Sequence, residues 1–359
     1  MRILILGGTK FLGRAIVEAA RARGHELTLF NRGQHDPSAY PDLEQLHGDR
    51  TQPGGLAALA GRTWDAAIDT AAYLPRDVRS MTDALKGCVQ HYTFVSSISV
   101  FASHAAPGQD ETTEVARLTP QQQAKLDALP LGATITARDL GELYGPLKAA
   151  CEDVAREAFP GAALIVRPGL IVGPYDVSDR FTYWPARLMR GGDVLAPGRP
   201  ERVVQMIDVR DLAEWMVRMV EGRVAGTIQA TGPARPLAFG DVLDACARVA
   251  REHGAPSSKL VWVDDAFLVT QGVGPWMELP LWIPANDPSM AGFMTENIAR
   301  ALGAGLTFRP LEDTIRAALA WDATRSKDAP RVAGLAAEKE TALLAGAPKT
   351  WLGNDHHRL

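Results

Sequence analysis

Short apolar runs alternate with longer amphipathic stretches along the first half of this chain. The run from Arg2 to Leu6 predicts a strand, and the spacing of Leu12, Ile16, Val17 and Ala20 predicts a helix directly after it. Further strands are predicted at Glu26–Phe30, Leu43–Asp49, Trp64–Thr70, His91–Ser96 and Ala162–Val166, and helices at Arg76–Lys86 and Gly145–Phe159. This alternation is typical of a doubly wound α/β fold with a parallel central sheet.

The polar stretch from Ala102 to Leu140 interrupts that alternation. Only Gln121–Leu129 within it has helical character. Because an insertion of this length beside a sheet edge is usually functional or mobile, we interpret it as a candidate lid.

The pattern changes again at Arg167, where proline and glycine interrupt regular structure. Later elements are predicted as helices at Pro185–Arg190, Val209–Glu221, Phe239–His253, Asn297–Leu302 and Leu311–Ala323, and as strands at Val203–Ile207, Thr227–Ala230 and Leu260–Val263. With 359 residues the chain is long for one hydrophobic core and sufficient for two.

We therefore predict a Rossmann-like dinucleotide-binding domain over 1–166, with the elements around 203–231 returning to it. A smaller C-terminal α+β domain for the substrate would comprise 167–202 and 232–327, and 328–359 would form a peripheral helix or tail.

Composition places the chain among ordinary soluble proteins. Hydrophobic residues make up 46%, charged residues 22%, and the formal net charge is -4, so we expect no nucleic-acid partner. No apolar stretch is long enough for a membrane span, and signal-peptide features are missing, which predicts a cytoplasmic protein without a membrane partner. Cys88, Cys151 and Cys246 have neither disulfide nor zinc-site spacing, and we predict no metal.

The first predicted strand ends in a glycine-rich turn. Its sequence is Gly7-Gly8-Thr9-Lys10-Phe11-Leu12-Gly13, with the glycines in the pattern G-G-x-x-x-x-G. Glycine permits a close approach of the main chain, whose N–H groups and helix N-terminus can then bind a pyrophosphate. An ordinary glycine-rich turn is the alternative, but the position between a strand and a helix favours a dinucleotide-binding loop.

The ends of the next strands supply further candidate cofactor contacts. Asn31 and Arg32 follow the second strand, where NAD-preferring folds usually carry an acidic residue for the ribose hydroxyl, whereas an arginine suits a 2′-phosphate. We therefore favour NADP(H) as cofactor, with NAD(H) as the alternative. Asp49 is either a contact for the adenine amino group or a turn residue, and Ala71 and Ala72 are candidates for the floor beneath the cofactor.

A tyrosine and a lysine, Tyr144 and Lys148, are spaced by one helical turn at the start of a predicted helix. A nearby ammonium, like the positive charge of an oxidised nicotinamide, would lower the pKa of the phenol. Ser97, at the end of the preceding strand, could donate a hydrogen bond to the same carbonyl oxygen. The Y-x-x-x-K spacing alone is a weak signal, because surface pairs also produce it; together with the glycine loop and Ser97 it indicates carbonyl chemistry.

These motifs resemble the extended branch of the short-chain dehydrogenase/reductase superfamily, the NAD-dependent epimerase/dehydratase family. The resemblance covers the first half of the chain well and the second half only in outline. The segments that carry it, in family order, are Gly7–Gly13, Val95–Val100, Tyr144–Glu152, Arg167–Pro168 with Val172–Pro174, and Asp208–Ala213.

The resemblance implies specific roles. Tyr144 would be the general acid/base, Lys148 would orient the nicotinamide ribose and tune Tyr144, and Ser97 would bind the substrate oxygen. The loop glycines would hold the pyrophosphate, Asp49 would meet the adenine, and the chain would form a homodimer. The long separation between Ser97 and Tyr144 implies a substrate entrance that differs from that of sugar-nucleotide epimerases.

Candidate substrate contacts lie mostly beyond the predicted sheet. In extended members this region contacts nucleotide or sugar, which implies a wall of Arg180, Phe181, Tyr183 and Trp184. Phe181 and Trp184 fit a core role as well. Ser99 and Gln205 are further candidates. Trp276 and its neighbouring prolines either line the pocket or brace a loop.

Three functions remain open at this point. The first is an NAD(P)-dependent oxidoreductase acting on a carbonyl or secondary alcohol of a small polar, sugar-like or nucleotide-linked molecule. The second is a sugar-nucleotide epimerase or dehydratase with transient oxidation by retained NAD, which an exchangeable NADP disfavours. The third is a non-catalytic RNA-binding or cofactor-sensing relative, against which the intact Ser97, Tyr144 and Lys148 and the net charge of -4 argue.

Overall fold

The computed structural model describes residues 1–36, 38–70, 72–130, 132, 140–235, 237–326 and 328–348. Ala71, a predicted cofactor contact, lies outside this set, as do residues 131 and 133–139 of the insertion and 349–359 of the predicted tail.

Seven parallel strands form the central sheet. They are β1 (Arg2–Leu6), β2 (Glu26–Asn31), β3 (Glu44–His47), β4 (Trp64–Asp69), β5 (Val89–Val95), β6 (Ala163–Pro168) and β11 (Gly226–Ala230). Their spatial order is β11-β6-β5-β4-β1-β2-β3, so the strand order reverses beside β1. Open α/β sheets bind ligands at such a reversal, outside the carboxyl ends of the strands. The predicted fold class is confirmed, and the predicted strand Thr227–Ala230 returns to the sheet as expected.

Helices cover both faces of this sheet, which explains the nearly continuous apolar strands. In β1, Ile3 and Ile5 face one layer while Leu4 and Leu6 face the other, and all four side chains are fully buried. The first layer contains α1 (Phe11–Ala22) and α6 (Val209–Glu221), and the second contains α2 (Pro75–Leu85) and α4 (Tyr144–Ala158). Helix α3 (Pro120–Asp127) lies within the insertion.

A second hydrophobic core lies in the C-terminal part of the chain. Its helices are α5 (Tyr183–Leu188), α7 (Phe239–Glu252), α8 (Asp265–Thr270), α10 (Leu311–Asp322) and α11 (Ala337–Gly346); α9 (Ala299–Gly303) packs on the central sheet instead. The remaining strands pair as β13 (Ser258–Val263) with β8 (Gly192–Pro197), β12 (Leu237–Ala238) with β9 (Val203–Val204), and β10 (Ile207–Asp208) with β7 (Ile171–Val172).

The structure corrects two predictions in this region. The predicted strand Val203–Ile207 is two short strands, because Gln205 between them bonds through its side-chain amide to both backbone polar groups of Glu296. The segment 328–359 is predicted to be peripheral, but α11 within it packs against the body of the protein, because Leu343 is buried in the second core. The domain boundaries themselves stay a prediction.

Helix α11 is attached by a buried ion pair. The Arg187 Nε atom lies 2.9 and 2.6 Å from the two Glu340 carboxylate oxygens, and the backbone N–H of Leu195 donates to the same carboxylate at 3.1 Å. Glu340 is 3% exposed and Arg187 8%. Removing one partner of such a pair leaves the other charge buried and unpaired.

We therefore expect Glu340→Ala to lower the free energy of unfolding by about 3–5 kcal/mol, because Arg187 keeps its charge in a dry site. Urea denaturation followed by circular dichroism measures this change. Glu338→Ala, at an exposed position of the same helix, is the matched control and should change the value by less than about 0.5 kcal/mol. Equal effects of the two substitutions would contradict the structural role of the pair.

Candidate active site

The glycine-rich turn lies between β1 and α1, at the carboxyl edge of the sheet. Gly7 and Gly8 have φ angles of +110° and +95°, a region that residues with a Cβ rarely adopt. A Cβ on Gly13 would lie 2.7 Å from the backbone nitrogen of Gly8, so α1 begins in direct contact with the turn. Lys10 precedes the helix and its side chain forms no capping hydrogen bond, and no acidic residue occupies the first turn. This cradle fits a pyrophosphate group.

The other predicted residues of the glycine-rich turn differ in position: some lie at the ligand cleft and some pack in the core. Lys10 is exposed and Thr9 is buried beside the turn. Leu12 packs into the core beneath α1, so only its backbone can face a ligand. Phe11 starts the helix with a positive φ of 30° and is half-buried.

Positive charge collects at the end of β2. Arg32 is exposed, and within the described ranges it forms no ion pair or hydrogen bond. The pKa of His35 is lowered by burial and by the charge of Lys10, and Arg14 acts in the same direction. Asp36 opposes this effect and pairs with Arg14 at 3.6 Å. Asn31 accepts a hydrogen bond from the backbone N–H of Gly33 at 2.7 Å and thereby shapes the turn. An anionic group on the adenosine ribose would meet favourable charge here.

The end of β3 carries a turn residue followed by an arginine that the sequence analysis missed. Asp49 accepts hydrogen bonds from the backbone and hydroxyl of Thr51, so one of its oxygens serves the turn, and its contact with adenine stays a prediction. Arg50 binds the fully buried Asp69 at the end of β4 through two hydrogen bonds of 2.6 and 3.0 Å. Tyr92 also donates to Asp69, at 2.7 Å. These contacts stiffen the floor of the cleft.

Lys148 reaches from α4 into the sheet edge. Its ammonium is buried and donates to the carbonyl oxygens of Ala72 at 3.0 Å and Val95 at 2.6 Å. Burial lowers the pKa of Lys148 from its usual value. Its position beneath the cleft is consistent with a role in holding the nicotinamide ribose, which stays a prediction.

Tyr144 begins α4, and its ring centroid lies 6.3 Å from that of Tyr73. Burial raises the pKa of Tyr144 to about 12; Tyr73 acts in the same direction, whereas a hydrogen bond with Ser97 and the charge of Arg180 act to lower it. The sequence predicts a lowered pKa for Tyr144, and this prediction is wrong. The Lys148 ammonium donates to the carbonyl groups of Ala72 and Val95, and burial of the phenol has the largest effect on its pKa. Tyr144 is therefore a protonated phenol near neutral pH.

Ser97 and Ser99 lie beside this phenol. Ser97 caps a short 3₁₀ helix at the end of β5: its hydroxyl donates to the Ser99 hydroxyl at 3.1 Å and accepts from the Ser99 backbone N–H at 3.1 Å. A Cβ on Gly145 would lie 2.1 Å from the Ser99 carbonyl oxygen, so the start of α4 packs directly on this segment. The structure thus brings Ser97, Ser99, Tyr144 and Lys148 together.

A cavity of about 540 Å³ opens next to Ser99. Apolar side chains supply most of its wall: Val269, Val273, Trp276, Ile283, Met290 and Phe293. His104, from the insertion, lies between Phe101 and Phe293 with ring centroids 6.1 and 5.2 Å away. The proline-rich segment therefore lines the pocket, which the sequence left open, whereas Trp282 is fully buried in the second core.

The predicted substrate wall is only partly at this cleft. Arg180 lies 5.9 Å from the Trp276 ring centroid and close enough to Tyr144 to influence its pKa. Phe181, Tyr183 and Trp184 are not at the cleft, because all three are buried in the second core. Trp184 donates there to the carbonyl of Pro280 at 2.8 Å. Gln205 uses both ends of its amide on the backbone of Glu296.

Two parts of the insertion, residues 102–140, pack around this site. Gly108 donates to the Thr295 carbonyl at 3.0 Å, and Asn297 donates to the Gln109 carbonyl at 2.8 Å. Leu126 and Leu140 pack in a small apolar cluster that also includes Leu74, Leu147, Tyr73 and Tyr144. Closure of this segment as a lid stays a prediction.

A comparison with family models agrees with this geometry. The model described as the NAD dependent epimerase/dehydratase family matches residues 3–229 of the 359. The chain belongs to the NAD-dependent epimerase/dehydratase family. The matched residues contain the glycine-rich turn, Ser97, Tyr144 and Lys148, so the predicted family is confirmed. The chain is therefore a member of a family of NAD-dependent oxidoreductases and epimerases.

The curated relatives of this chain include a protein named as a reductase and one named as an epimerase family protein. A 2-alkyl-3-oxoalkanoate reductase of Stenotrophomonas maltophilia is 28% identical over 200 residues, covering 49% of this chain and 52% of the relative. An epimerase family protein of Bos taurus is 26% identical over 244 residues, covering 65% and 75%. The match to the first relative thus spans about half its length. Since reductase and epimerase names both occur, the choice between them depends on the site itself.

Solved structures share the fold of this family member. The Bordetella bronchiseptica enzyme WbmH in complex with NAD⁺ is 17% identical, with a TM-score of 0.63 over 90% of this chain and 98% of that one. A UDP-glucuronic acid 4-epimerase from Bacillus cereus in complex with NAD is 12% identical, with a TM-score of 0.58 over 89% and 98%. At these identities the comparison supports the Rossmann-like architecture.

None of the helices in the described part of the chain has the length and apolar character needed to cross a bilayer. Likewise, among the described residues no three His, Cys, Asp or Glu side chains are grouped so that they could hold a metal ion. The cytoplasmic location and the homodimer stay predictions.

We expect Gly13→Ala to weaken binding of the dinucleotide at least tenfold, because the new Cβ must displace the backbone of Gly8 from the cradle. Isothermal titration calorimetry with NADP⁺ and NAD⁺ measures the affinity, and a thermal unfolding curve checks that the variant is folded. Gly303→Ala is the matched control, since Gly303 has open space around its Cα and no positive φ. Unchanged affinity in a folded Gly13 variant would rule out this turn as the pyrophosphate site.

Proposed function

We propose that this family member is an NADP(H)-dependent reductase that transfers a hydride between the nicotinamide and a carbonyl group of a small molecule. The observation that carries the proposal is the protonated Tyr144 phenol beside the Ser97 hydroxyl, next to a cavity that can receive a carbonyl compound. Family membership supports the nicotinamide cofactor, and the glycine cradle fits its pyrophosphate.

The proposed chemistry assigns one task to each polar group. A bound nicotinamide would supply or accept the hydride. Tyr144, as a neutral phenol, donates its proton to the carbonyl oxygen as alkoxide character develops. The Ser97 hydroxyl turns from Ser99 to the same oxygen and donates a second hydrogen bond, which strengthens as negative charge grows.

Lys148 supports this arrangement through position and charge. Its ammonium lies beneath the cleft, held by the Ala72 and Val95 carbonyls, and could release one of these contacts to a ribose hydroxyl. An N–H released from these carbonyls could also turn toward Tyr144 and stabilise the phenolate that forms after proton donation.

The NADP(H) preference is supported by the exposed Arg32, which has no ion pair or hydrogen bond in the described ranges, and by the charge of Lys10 near His35. An acidic residue for the ribose hydroxyls is missing at the end of β2. The epimerase alternative requires a cofactor that stays bound through both hydride transfers. Protein that purifies with non-exchangeable NAD and consumes no NADPH with any carbonyl would favour it over the reductase. Salt-sensitive binding to RNA would favour the non-catalytic alternative.

We expect Tyr144→Phe to lower turnover by about 10²- to 10⁴-fold, because the proton donor is removed while the cleft keeps its shape. NADPH oxidation with a panel of ketones and aldehydes measures turnover, and calorimetry should show cofactor binding within about twofold of the original. Tyr175→Phe, at an exposed tyrosine outside the cavity, is the matched control. Turnover that survives in the Tyr144 variant would refute this role.

We expect Arg32→Ala to weaken NADPH binding by about ten- to a hundredfold, since a hydrogen bond between two charged groups is lost. NADH binding should change by less than about twofold, because NADH has no 2′-phosphate. Arg79→Ala, an exposed arginine on α2 paired with Glu157, controls for the change in net charge. A tighter complex with NADH than with NADPH in the unaltered protein, or equal losses for both cofactors, would overturn the preference.

A further inference from the structure

We infer that the carbonyl substrate has an apolar chain that occupies the cavity beside Ser99 and a single anionic group, such as a carboxylate, that pairs with Arg180. This inference rests on the proposed reductase function and names its substrate class. It replaces the small polar or sugar-like molecule that the sequence predicts.

The cavity has the character of a site for an apolar group. Val273 and Pro284 are buried, and Trp276 and Phe293 form an aromatic wall with ring centroids 5.4 Å apart. At about 540 Å³ the cavity lies in the usual range for small organic ligands. A hydroxylated sugar ring placed there would lose hydrogen bonds to water and find few partners, whereas an alkyl chain would gain by leaving water.

The polar residues of the cavity do not alter this conclusion. Burial lowers the pKa of His104, so this imidazole is neutral at pH 7 and adds no charge. Asn286 and Asp287 are exposed and lie at the outer rim, where Asp287 accepts hydrogen bonds from Ser289. Ser99 is the remaining polar residue of the wall, and it lies on the side of Ser97. The cavity therefore has an apolar body with its polar end at the reacting groups.

Arg180 places a positive charge beside the polar end of the cavity. Its guanidinium contacts the cavity wall at Trp276 and influences the pKa of Tyr144, and its Nε atom donates to the Ser178 hydroxyl at 3.1 Å. Within the described ranges no carboxylate lies within ion-pair distance of it. Asp176 is close enough for Arg180 to lower its pKa, but burial raises that pKa overall, and its Oδ1 atom already accepts from the Ser178 backbone. An anionic ligand group would find a partly desolvated, unpaired partner.

The charge at this site fits one anionic group better than a diphosphate. Arg202 approaches the cavity from the other side, where it bonds to the carbonyl of Ile283, a wall residue. It is committed to Asp265 through an ion pair of 2.6 Å. With Arg202 neutralised, Arg180 is the cation available between Tyr144 and Trp276 in the described structure. A nucleotide-linked sugar would bring two phosphates to a site with one free positive charge.

The test uses the whole protein saturated with NADP⁺, and in parallel with NAD⁺, so that bound carboxylates cannot react. Calorimetry measures the affinity of unbranched saturated carboxylates from butanoate to dodecanoate. We expect the dissociation constant to fall about fourfold for each added methylene until the cavity is filled. The methyl ester of each acid should bind at least about tenfold more weakly, because the pairing with Arg180 is lost. UDP-glucose serves as the polar competitor and should bind more weakly than the best carboxylate.

Two variants localise the ligand. Val269→Asp places a charge on the cavity wall at a position that is 43% exposed, and we expect it to weaken decanoate at least about tenfold. Val203→Asp, at a valine that is 38% exposed outside the cavity, is the matched control. Arg180→Gln should bring the affinities of acid and ester to within about twofold, while Arg180→Lys should restore part of the difference.

A flat dependence on chain length overturns the apolar half of the inference, and equal binding of acid and ester overturns the anionic half. Tighter binding of UDP-glucose than of any carboxylate overturns both. Turnover is measured separately, with NADPH and the corresponding 3-oxo acids. If carboxylates bind with the expected chain-length dependence but no 3-oxo acid is turned over, the reductase function is contradicted. If polar carbonyl compounds are reduced and no carboxylate binds, the reductase function is supported and the substrate class is overturned.

Discussion

The burial of one ammonium group constrains the rest of this active site. Lys148 can carry its charge inside the protein only if carbonyl oxygens replace the water that it loses, and Ala72 and Val95 provide them. Val95 is the last residue of β5, and Ala72 follows the end of the adjacent strand β4. The hydrogen bonds therefore hold the start of α4 against the carboxyl edge of the sheet. Tyr144 precedes Lys148 by one helical turn, so the same contacts fix its position.

A second buried network fixes the same helix one turn later. Glu152 accepts hydrogen bonds from Ser96 at 2.6 Å and from Arg167 at 2.9 and 2.8 Å, which joins α4 to the ends of β5 and β6. Burial acts to raise the pKa of Glu152, yet Arg167 and Ser96 hold it below its usual value, so the carboxylate stays charged. Buried networks of this kind are stable only when nearly all their members are bonded, and they therefore define one position of the helix.

In the proposed reaction, the reacting groups and the substrate cavity come from different parts of the chain. The sheet edge supplies Ser97, Tyr144 and Lys148, whereas the irregular segment after α8 supplies most of the cavity wall. That segment is anchored by Asp265, which accepts from the Trp282 indole at 2.8 Å and the Ala285 backbone at 2.7 Å. Because this anchor lies outside the proposed catalytic groups, the shape of the cavity can change without a change in those groups.

The sequence by itself determined the alternation of strands and helices, the glycine-rich turn and the Tyr144–Lys148 spacing, because each depends on residues that are close in the chain. Only the tertiary structure decided that burial raises the pKa of Tyr144, that Trp184 belongs to a core and that Trp276 lines a cavity. Trp276 and Trp282 lie in one proline-rich segment, yet Trp276 lines the cavity and Trp282 is fully buried, because burial depends on which distant segments pack against each side chain. The pairing of Arg180 and Arg202 followed the same rule: Asp265 pairs with Arg202 across 63 residues, whereas Arg180 has no carboxylate at ion-pair distance in the described ranges.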